Sequence, residues 1–585
     1  MSADNSKERL FAWVGEALER LRLHLSRPDA LIQLALLGLF TGLLAGGTIV
    51  FFRVSVEAIQ RGLLPGDHAE SFESLPYWAR LLMPLLGGLA IGWAFSRQRK
   101  GIPVLGVPGV MERLAYHQGY LTLRSFIQQF FGAAVAIISG HSVGREGPHI
   151  FLGAASGSLL GQYLALPNNS IRTMVGCGAA AGIAASFNTP LAGVIFALEV
   201  VMQEYTVAGF IPVILAAVSA TVVSVAVLGG APAFTVPDLQ LGSLGEIPLL
   251  ILLGLAVGAL SSLFIHLLEM TVERSKRLSY IQRCGLAGLL VGLVALVAPQ
   301  VMGVGYDTVN SALMGEIGIG LLLLVLAAKV FATVASIGLG IPGGNIGPVL
   351  FIGACLGSAV GLLLNQVSGG GLVDVGLYAL LGMGAMMGAG LQAPLAALTA
   401  MMELTHSPQI IMPGMLVIVV AGLTAGELFR KESLFITMLK AAGMDYTTDP
   451  VLQTLRRIGV AGVMEKSFSQ LPRRISREQA ENALDAHPEW ILVEGDEGPV
   501  SLLAAIDLAR LLQEDPAVAE VDLIAMPGRR FDVAPVPLQA DLQEAVEQLD
   551  ERAVGALYVE RMNAPGIHRI YGVLTRENVE SAYRY

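Results

Sequence analysis

The chain has 585 residues, of which 54% are hydrophobic and only 14% charged, with 68 glycines and a formal net charge of −10. That balance excludes an ordinary soluble domain and is that of a membrane protein; it implies no nucleic-acid partner. Cys177, Cys284 and Cys355 stand isolated in apolar segments, which excludes a disulfide framework or a cysteine metal site and leaves buried thiols.

Residues 1–30 carry charges throughout and have no apolar core with a small-residue cleavage site, so they read as a cytoplasmic amphipathic helix and not a signal peptide. From Leu31 to about Thr424 apolar runs recur, for example 31–52 and 317–340, each near the roughly 20 residues a bilayer needs. Others are short or broken by Gly and Pro. Basic clusters at 96–100, 273–277 and 429–433 flank apolar segments, whereas 229–248 contains no Lys or Arg. The clusters therefore face the cytoplasm and that loop faces outward, with both termini inside.

An internal repeat organises the apolar region. "GREGPHIFLGAASGSLLG" (144–161) over "GNIGPVLFIGACLGSAVG" (344–361) matches Gly144/Gly344, Gly147/Gly347, Pro148/Pro348, Phe151/Phe351, Gly153/Gly353, Ala154/Ala354, Gly157/Gly357, Ser158/Ser358 and Gly161/Gly361 at an offset of 200. A second pair, 178–199 over 382–403, aligns Pro190/Pro394, Leu191/Leu395, Ala192/Ala396 and Glu199/Glu403 at an offset of 204. Two repeats in the same order make two homologous halves. Repeated, interrupted apolar segments are the mark of transporter folds whose substrate sits where broken helices meet near midplane. With the outward loop 229–248 between the halves, the second is inserted upside down.

Gly-x-x-Gly-Pro before an apolar run is a helix start: proline brings its φ ready-set and needs no N–H partner. Two such starts pointing to the centre make an anion site from unpaired backbone N–H groups and the positive ends of the helix dipoles. Glu146 lies in the first turn of one copy, where its carboxylate is a rival for the same donors. Ionised, it fills the site as a tethered anion; protonated, it loses that attraction and swings away. This makes it gate and proton acceptor in one. The alternative is a buried or interfacial ion pair with Arg145, although charges at membrane depth are costly and usually functional. In the second copy Asn345 and Ile346 replace the pair, so one half keeps the acid and both keep the backbone. Glu199 and Glu403, matched in the two halves, read as structural. His149 and His406, next to segment ends, read as interfacial, with a proton role open.

After Asp445 the sequence turns charged and half-apolar. Residues 490–512 and 556–582 each read as strand, turn, strand and helix start, with Asp507 over Asn578 at an offset of 71.

GREGP at 144–148, GGNIGP at 343–348 and "FNTPLAGVIFALE" at 187–199 resemble the CLC family of chloride channels and proton/chloride exchangers. The resemblance covers about 31–445 and implies an all-α polytopic membrane protein of inverted-repeat architecture with broken helices, in halves of about 31–228 and 245–428 plus a final helix over 432–442. It implies a homodimer in which each subunit has its own anion pathway, gated by Glu146. The expected anion ligands are Leu105, Gly106, Gly144, Arg145, Gly147, Gly344, Asn345, Ile346, Gly347 and Phe435. Two of these depart from the family: Leu105 stands where a coordinating serine is expected and Phe435 where a tyrosine is. Losing those hydroxyls is expected to weaken anion binding by about 1.5 to 3 kcal/mol each. Exchangers commonly carry an inward-facing glutamate where this chain has Val200, as the family's channels do. Glu204, four residues on, is expected on the same helical face as a displaced acceptor or, more blandly, as an exposed helix-end acid.

The tail, 446–585, resembles a cytoplasmic α/β pair of CBS modules, at about 458–515 and 526–585. An adenine nucleotide is the ligand this implies, with Asp507 and Thr575 as candidate contacts, but 572–578 keeps Gly572 and Thr575 with Asn578 in place of the family's aspartate, 501–507 keeps Asp507 with Ala504 in place of the hydroxyl, and a structural, dimer-stabilising tail is favoured. The expected function is transport of chloride and similar small anions across a prokaryotic inner membrane, with voltage- or pH-dependent channel-like flux preferred because of Val200. The alternatives are a proton/chloride antiporter and a CLC-type fluoride exporter. No HExxH, paired catalytic aspartates or GxSxG serine supports an enzyme, and no metal or other cofactor is required.

Overall fold

The structure, a computed structural model, describes the chain except residues 1–18, 20–21, 24, 26–29, 66–69, 98–103, 206, 232–233, 235–241, 406–407, 445, 447–449, 496–497, 517, 565–566 and 584–585. Most of the amphipathic helix expected over 1–30 thus lies outside the described residues. Two compact units result: 35–162 with 172–446, and 447–585 with 1–34 and 163–171.

Helices account for nearly all of the first unit. The first half runs α1 (Leu31–Leu63), α2 (Tyr77–Ser96), α3 (Gly106–Tyr116), α4 (Leu123–Ile138), α5 (Glu146–Tyr163), α6 (Asn168–Phe187), α7 (Pro190–Phe196, continued by a π turn Ala197–Met202) and α8 (Val207–Leu228). The second runs α9 (Ile247–Ser275), α10 (Tyr280–Val297), α11 (Tyr306–Leu313), α12 (Ile319–Gly338), α13 (Ile346–Ser368), α14 (Val375–Leu391), α15 (Pro394–Thr405) and α16 (Ile411–Leu423, continued by a π turn Thr424–Leu428), followed by α17 (Leu434–Ala441). Among the described residues, eight helices are long and apolar enough to cross a membrane.

The repeat is visible in the packing. A Cβ on Gly153 of α5 would lie 2.2 Å from Gly178 O on α6, and one on Gly353 of α13 would lie 2.4 Å from Gly382 O on α14. Small residues thus let both helix pairs close backbone to backbone, which lipid-embedded helices need because no hydrophobic effect drives them together. Cys177, Cys284 and Cys355 are buried free thiols, as expected.

The second unit has two similar modules. One is β1 (Phe468–Pro472), β2 (Arg474–Ser476), the helix Arg477–Asp485, β3 (Trp490–Gly495), β4 (Gly498–Ala504) and the helix Ala505–Glu514; β5 (Glu520–Asp522) pairs with β2. The other is β6 (Arg530–Pro537), the helix Leu542–Glu551, β7 (Ala556–Ala564), β8 (Ile567–Thr575) and the helix Arg576–Tyr583. Together they form one six-stranded sheet ordered β1-β3-β4-β6-β7-β8, in which β1 and β3 run parallel as do β6 and β7. Both strand–turn–strand–helix segments read from the sequence fall on these elements. One boundary differs: Val460, Ala461 and Met464, expected in the first module, are buried in the core of the second with Val536, Leu557 and Leu574. The Val460 N–H donates to Ala540 O at 2.9 Å, so the incoming segment is pinned to the second module before the first begins.

Candidate functional site

The two repeated helix starts meet head to head. The Gly144 N–H donates to Gly344 O at 2.7 Å and the Gly344 N–H donates to Gly144 O at 2.8 Å. The contact leaves no room for side chains: a Cβ on Gly344 would lie 2.6 Å from Gly147 N, and one on Gly147 would lie 2.7 Å from Gly344 Cα. Beyond it α5 and α13 depart with their first N–H groups free of intrahelical partners.

One of those groups is taken by the other half. The Gly347 N–H donates to Glu146 Oε2 at 3.1 Å, and the Tyr306 hydroxyl donates to Glu146 Oε1. The carboxylate is wholly buried and lies against the Gly144 Cα, where an added Cβ would be 2.3 Å from Oε2. Arg145 points elsewhere: its guanidinium is 3.7 Å from Glu57 on α1 and stands 5.0 Å over the Tyr306 ring. The neighbours in sequence are therefore not each other's ion pair.

Tyr306, which opens α11, was not among the expected residues. Gly305 before it has φ of 80°, a left-handed turn that glycine makes without steric cost and that aims residue 306 inward. Phe234 packs edge-on at 4.8 Å and Phe187 lies 6.3 Å away in parallel, holding the ring. The loop before it is fixed by Lys329 of α12, whose fully buried ammonium donates to the carbonyls of Val301, Gly303 and Val304 at 3.1, 3.0 and 3.2 Å. All three of its protons are thereby satisfied.

On the other side of the helix starts, Leu105, Val104, Pro108, Pro342, Gly343 and Met438 help line a cavity of about 250 Å³. Gly106 does not offer the free N–H expected of it. That group donates to Gln129 Oε1 at 2.7 Å, because the left-handed Gly106 (φ 69°) turns it toward α4. Asn345 donates through Nδ2 to Met438 Sδ at 3.3 Å; Ile346 and Phe435 are buried and bring no polar side-chain atom. The structure thus gathers Glu146, Gly144, Gly147, Gly344, Asn345, Ile346 and Gly347 at one place, with Leu105 bordering the adjoining cavity.

A model of the voltage-gated chloride channel family matches residues 87–426. The chain belongs to this family, known as CLC. It is 35% identical over 401 residues, 67% of this chain and 93% of the other, to a putative ClcB-like chloride channel protein of Ralstonia nicotianae. It is 29% identical over 402 residues, 66% of this chain and 85% of the other, to the H(+)/Cl(−) exchange transporter ClcA of Vibrio cholerae. The crystal structure of a eukaryotic CLC transporter is similar in fold over 96% of this chain and 98% of its own, with a TM-score of 0.58 at 19% identity.

Other positions of this CLC chain sort as follows. Glu199 accepts from Leu395 N and Ala396 N at 3.2 and 2.7 Å, and Glu403 accepts from Leu191 N and Ala192 N at 2.9 and 2.7 Å. Each repeat's acid thus closes the start of the other repeat's helix, in line with the structural role read for both. Val200 is buried in the π turn. Glu204 is not on its helical face: the turn ends at Met202, and Gln203 is left-handed with φ of 54°. Nor is Glu204 an exposed acid, being 8% exposed and 4.0 Å from Arg172. His149 is not interfacial, since α5 starts inside the protein; it is fully buried, with Nδ1 2.5 Å from Ser186 Oγ. His406 lies outside the described residues.

In the tail, Asp507 Oδ2 accepts from Arg529 N at 2.7 Å, while the Thr575 N–H donates to Asn578 Oδ1 at 2.9 Å to begin the last helix. Thr575 is thus engaged in the cap of the helix that follows it, and Asp507 in holding the backbone 22 residues on.

Proposed function

We propose that this chain moves chloride across the membrane in exchange for protons, and that Glu146 is the group on which the two fluxes meet. The observation that carries the reading is the carboxylate's seat on Gly347 N, the helix start of the opposite repeat. A carboxylate there stands where a transported anion would draw on the same donor and the same dipole end. Proton uptake removes its charge and with it the attraction that keeps chloride out; chloride then takes the helix start, and proton loss returns the carboxylate. Because one point is occupied in turn by anion and tethered acid, the two movements are linked.

Val200 made uncoupled flux the preferred reading from sequence. The Vibrio cholerae relative, named an exchanger, supports coupling instead, and coupling then requires an inner proton route that does not use residue 200. Buried Glu204 is the acid we assign to it. We further take the clusters 273–277 and 429–433 to face the cytoplasm, and the paired modules of the tail to be a CBS pair serving a homodimer.

The deciding experiment is proton movement in proteoliposomes under a chloride gradient. Uphill proton transport that disappears in Glu146→Ala while chloride flux continues is the expected result. Chloride flux with no proton movement in the unmodified protein would return the uncoupled reading.

A further inference from the structure

The two side-chain hydroxyls expected to hold the anion are missing, since residues 105 and 435 are Leu and Phe. A hydroxyl is nevertheless present, and it comes from the opposite direction. Tyr306 and Gly347 each donate to one oxygen of the Glu146 carboxylate, so both donors converge on the space that carboxylate fills. When the carboxylate leaves, two donors are left around one vacated point. Tyr306 is 9% exposed, with its ring held by Phe234 and Phe187 and its backbone held through the carbonyls bound by Lys329. It has little freedom to turn to water, and a buried O–H without a partner is costly. A small anion arriving at Gly347 N is the acceptor within reach.

The repeat explains why the hydroxyl is here. At the offset of 200 that relates Gly144 to Gly344, Gly106 corresponds to Tyr306 and Gln129 to Lys329. Both members of the second pair fasten the backbone leading into a short helix, Gln129 at Gly106 N and Lys329 at the carbonyls of 301, 303 and 304. Tyr306 is therefore the repeat counterpart of the inner helix start, where Leu105 lacks its hydroxyl. Phe234, from the loop without Lys or Arg that the charge pattern is read to place outside, packs on Tyr306, so that reading puts Tyr306 on the outer side. The Arg145 guanidinium stands over the same ring, with the Glu57 carboxylate 3.7 Å from it.

We propose that Tyr306 is a ligand of the transported anion and the latch of the gate, its hydroxyl donating alternately to the Glu146 carboxylate and to the chloride that replaces it. The latch half of this rests on the gating reading of Glu146; the ligand half does not.

The test uses the purified full-length protein and chloride as the probe. In Glu146→Ala, which empties the point of its tethered carboxylate, adding Tyr306→Phe should raise the chloride Kd measured by titration calorimetry by about tenfold or more, the worth of a charge-assisted hydrogen bond. In the otherwise unmodified protein, Tyr306→Phe should raise chloride flux into liposomes at neutral pH several-fold. Equal Kd values for Glu146→Ala with and without Tyr306→Phe would overturn the ligand, and unchanged flux in Tyr306→Phe would overturn the latch. If Glu146→Ala leaves flux and its pH dependence as they were, the gating reading fails and the latch with it, while the Kd comparison still decides the ligand. Should Tyr306→Phe not fold, fluorotyrosine at 306 keeps the shape and makes the hydroxyl a stronger donor. Tighter chloride binding then supports the ligand, and no change refutes it.

Discussion

Gly144 and Gly344, the same position in the two repeats, hydrogen-bond to each other twice, N–H to carbonyl in both directions at 2.7 and 2.8 Å. Inverted halves can do this only where their backbones touch, and the pair is the closest structural record of the repeat. It also brings the start of α13 within reach of a side chain from α5.

That contact should tolerate no added atom. Gly344→Ala would put a Cβ 2.6 Å from Gly147 N and 3.0 Å from Gly144 O, both backbone atoms that cannot step aside. An overpacking cost of about 1 to 3 kcal/mol is expected, together with loss of chloride flux as the helix starts separate. Gly422→Ala, where an added Cβ meets nothing within 4 Å, should leave both unchanged. Thermal unfolding in detergent and flux in liposomes, run on the two variants side by side, check this.

The reciprocal acids give a prediction about symmetry. Glu199 closes the start of α15 through two N–H groups, and Glu403 does the same for α7. Glu199→Ala and Glu403→Ala should each lower stability by about 2 to 3 kcal/mol, since each removes charge-assisted bonds at a helix N-terminus. The ratio of protons to chloride should stay as in the unmodified protein for both. A changed ratio in Glu199→Ala alone would mean that this acid, and not only its neighbourhood, handles protons.

What the sequence disclosed followed from what repeats or alternates. Gly144, Gly147 and Pro148 announced a helix start because their backbone demands are local, and their copies at 344, 347 and 348 announced the second. The tail's strand–turn–strand–helix segments were legible for the same reason. Tyr306 was not, because its bond to Glu146 joins residues 160 apart and leaves no periodic trace. Lys329 did leave one, as a lone charge in the apolar run 317–340, and carrying the offset of 200 back to Gln129 would have found its partner. Gly106 was misjudged because a family position says where an N–H is, not which side chain of this chain has already taken it. Glu204 was misjudged because a left-handed Gln203 broke a helical count that assumed continuity.

The tail offers a test of pH dependence at a group outside the membrane-spanning segments. Glu544 lies in the first turn of Leu542–Glu551, beside the capping Asp541 whose Oδ1 accepts from the Glu544 N–H at 3.0 Å. Burial, and then the neighbouring Asp541 charge, push its carboxyl up from 4.5 to about 7. The folded tail therefore keeps a proton that the unfolded chain gives up near 4.5. The stabilisation linked to that proton is fully present below about 4.5 and is lost as pH rises through about 7. Amide hydrogen exchange in residues 542–551 of the full-length protein, corrected for the intrinsic rate at each pH, should show falling protection between pH 5 and about 7.5. Glu544→Gln keeps the hydrogen-bonding shape without a titrating proton, so its protection should stay level across that range. A slope as steep in Glu544→Gln as in the unmodified protein would assign the pH dependence to another group.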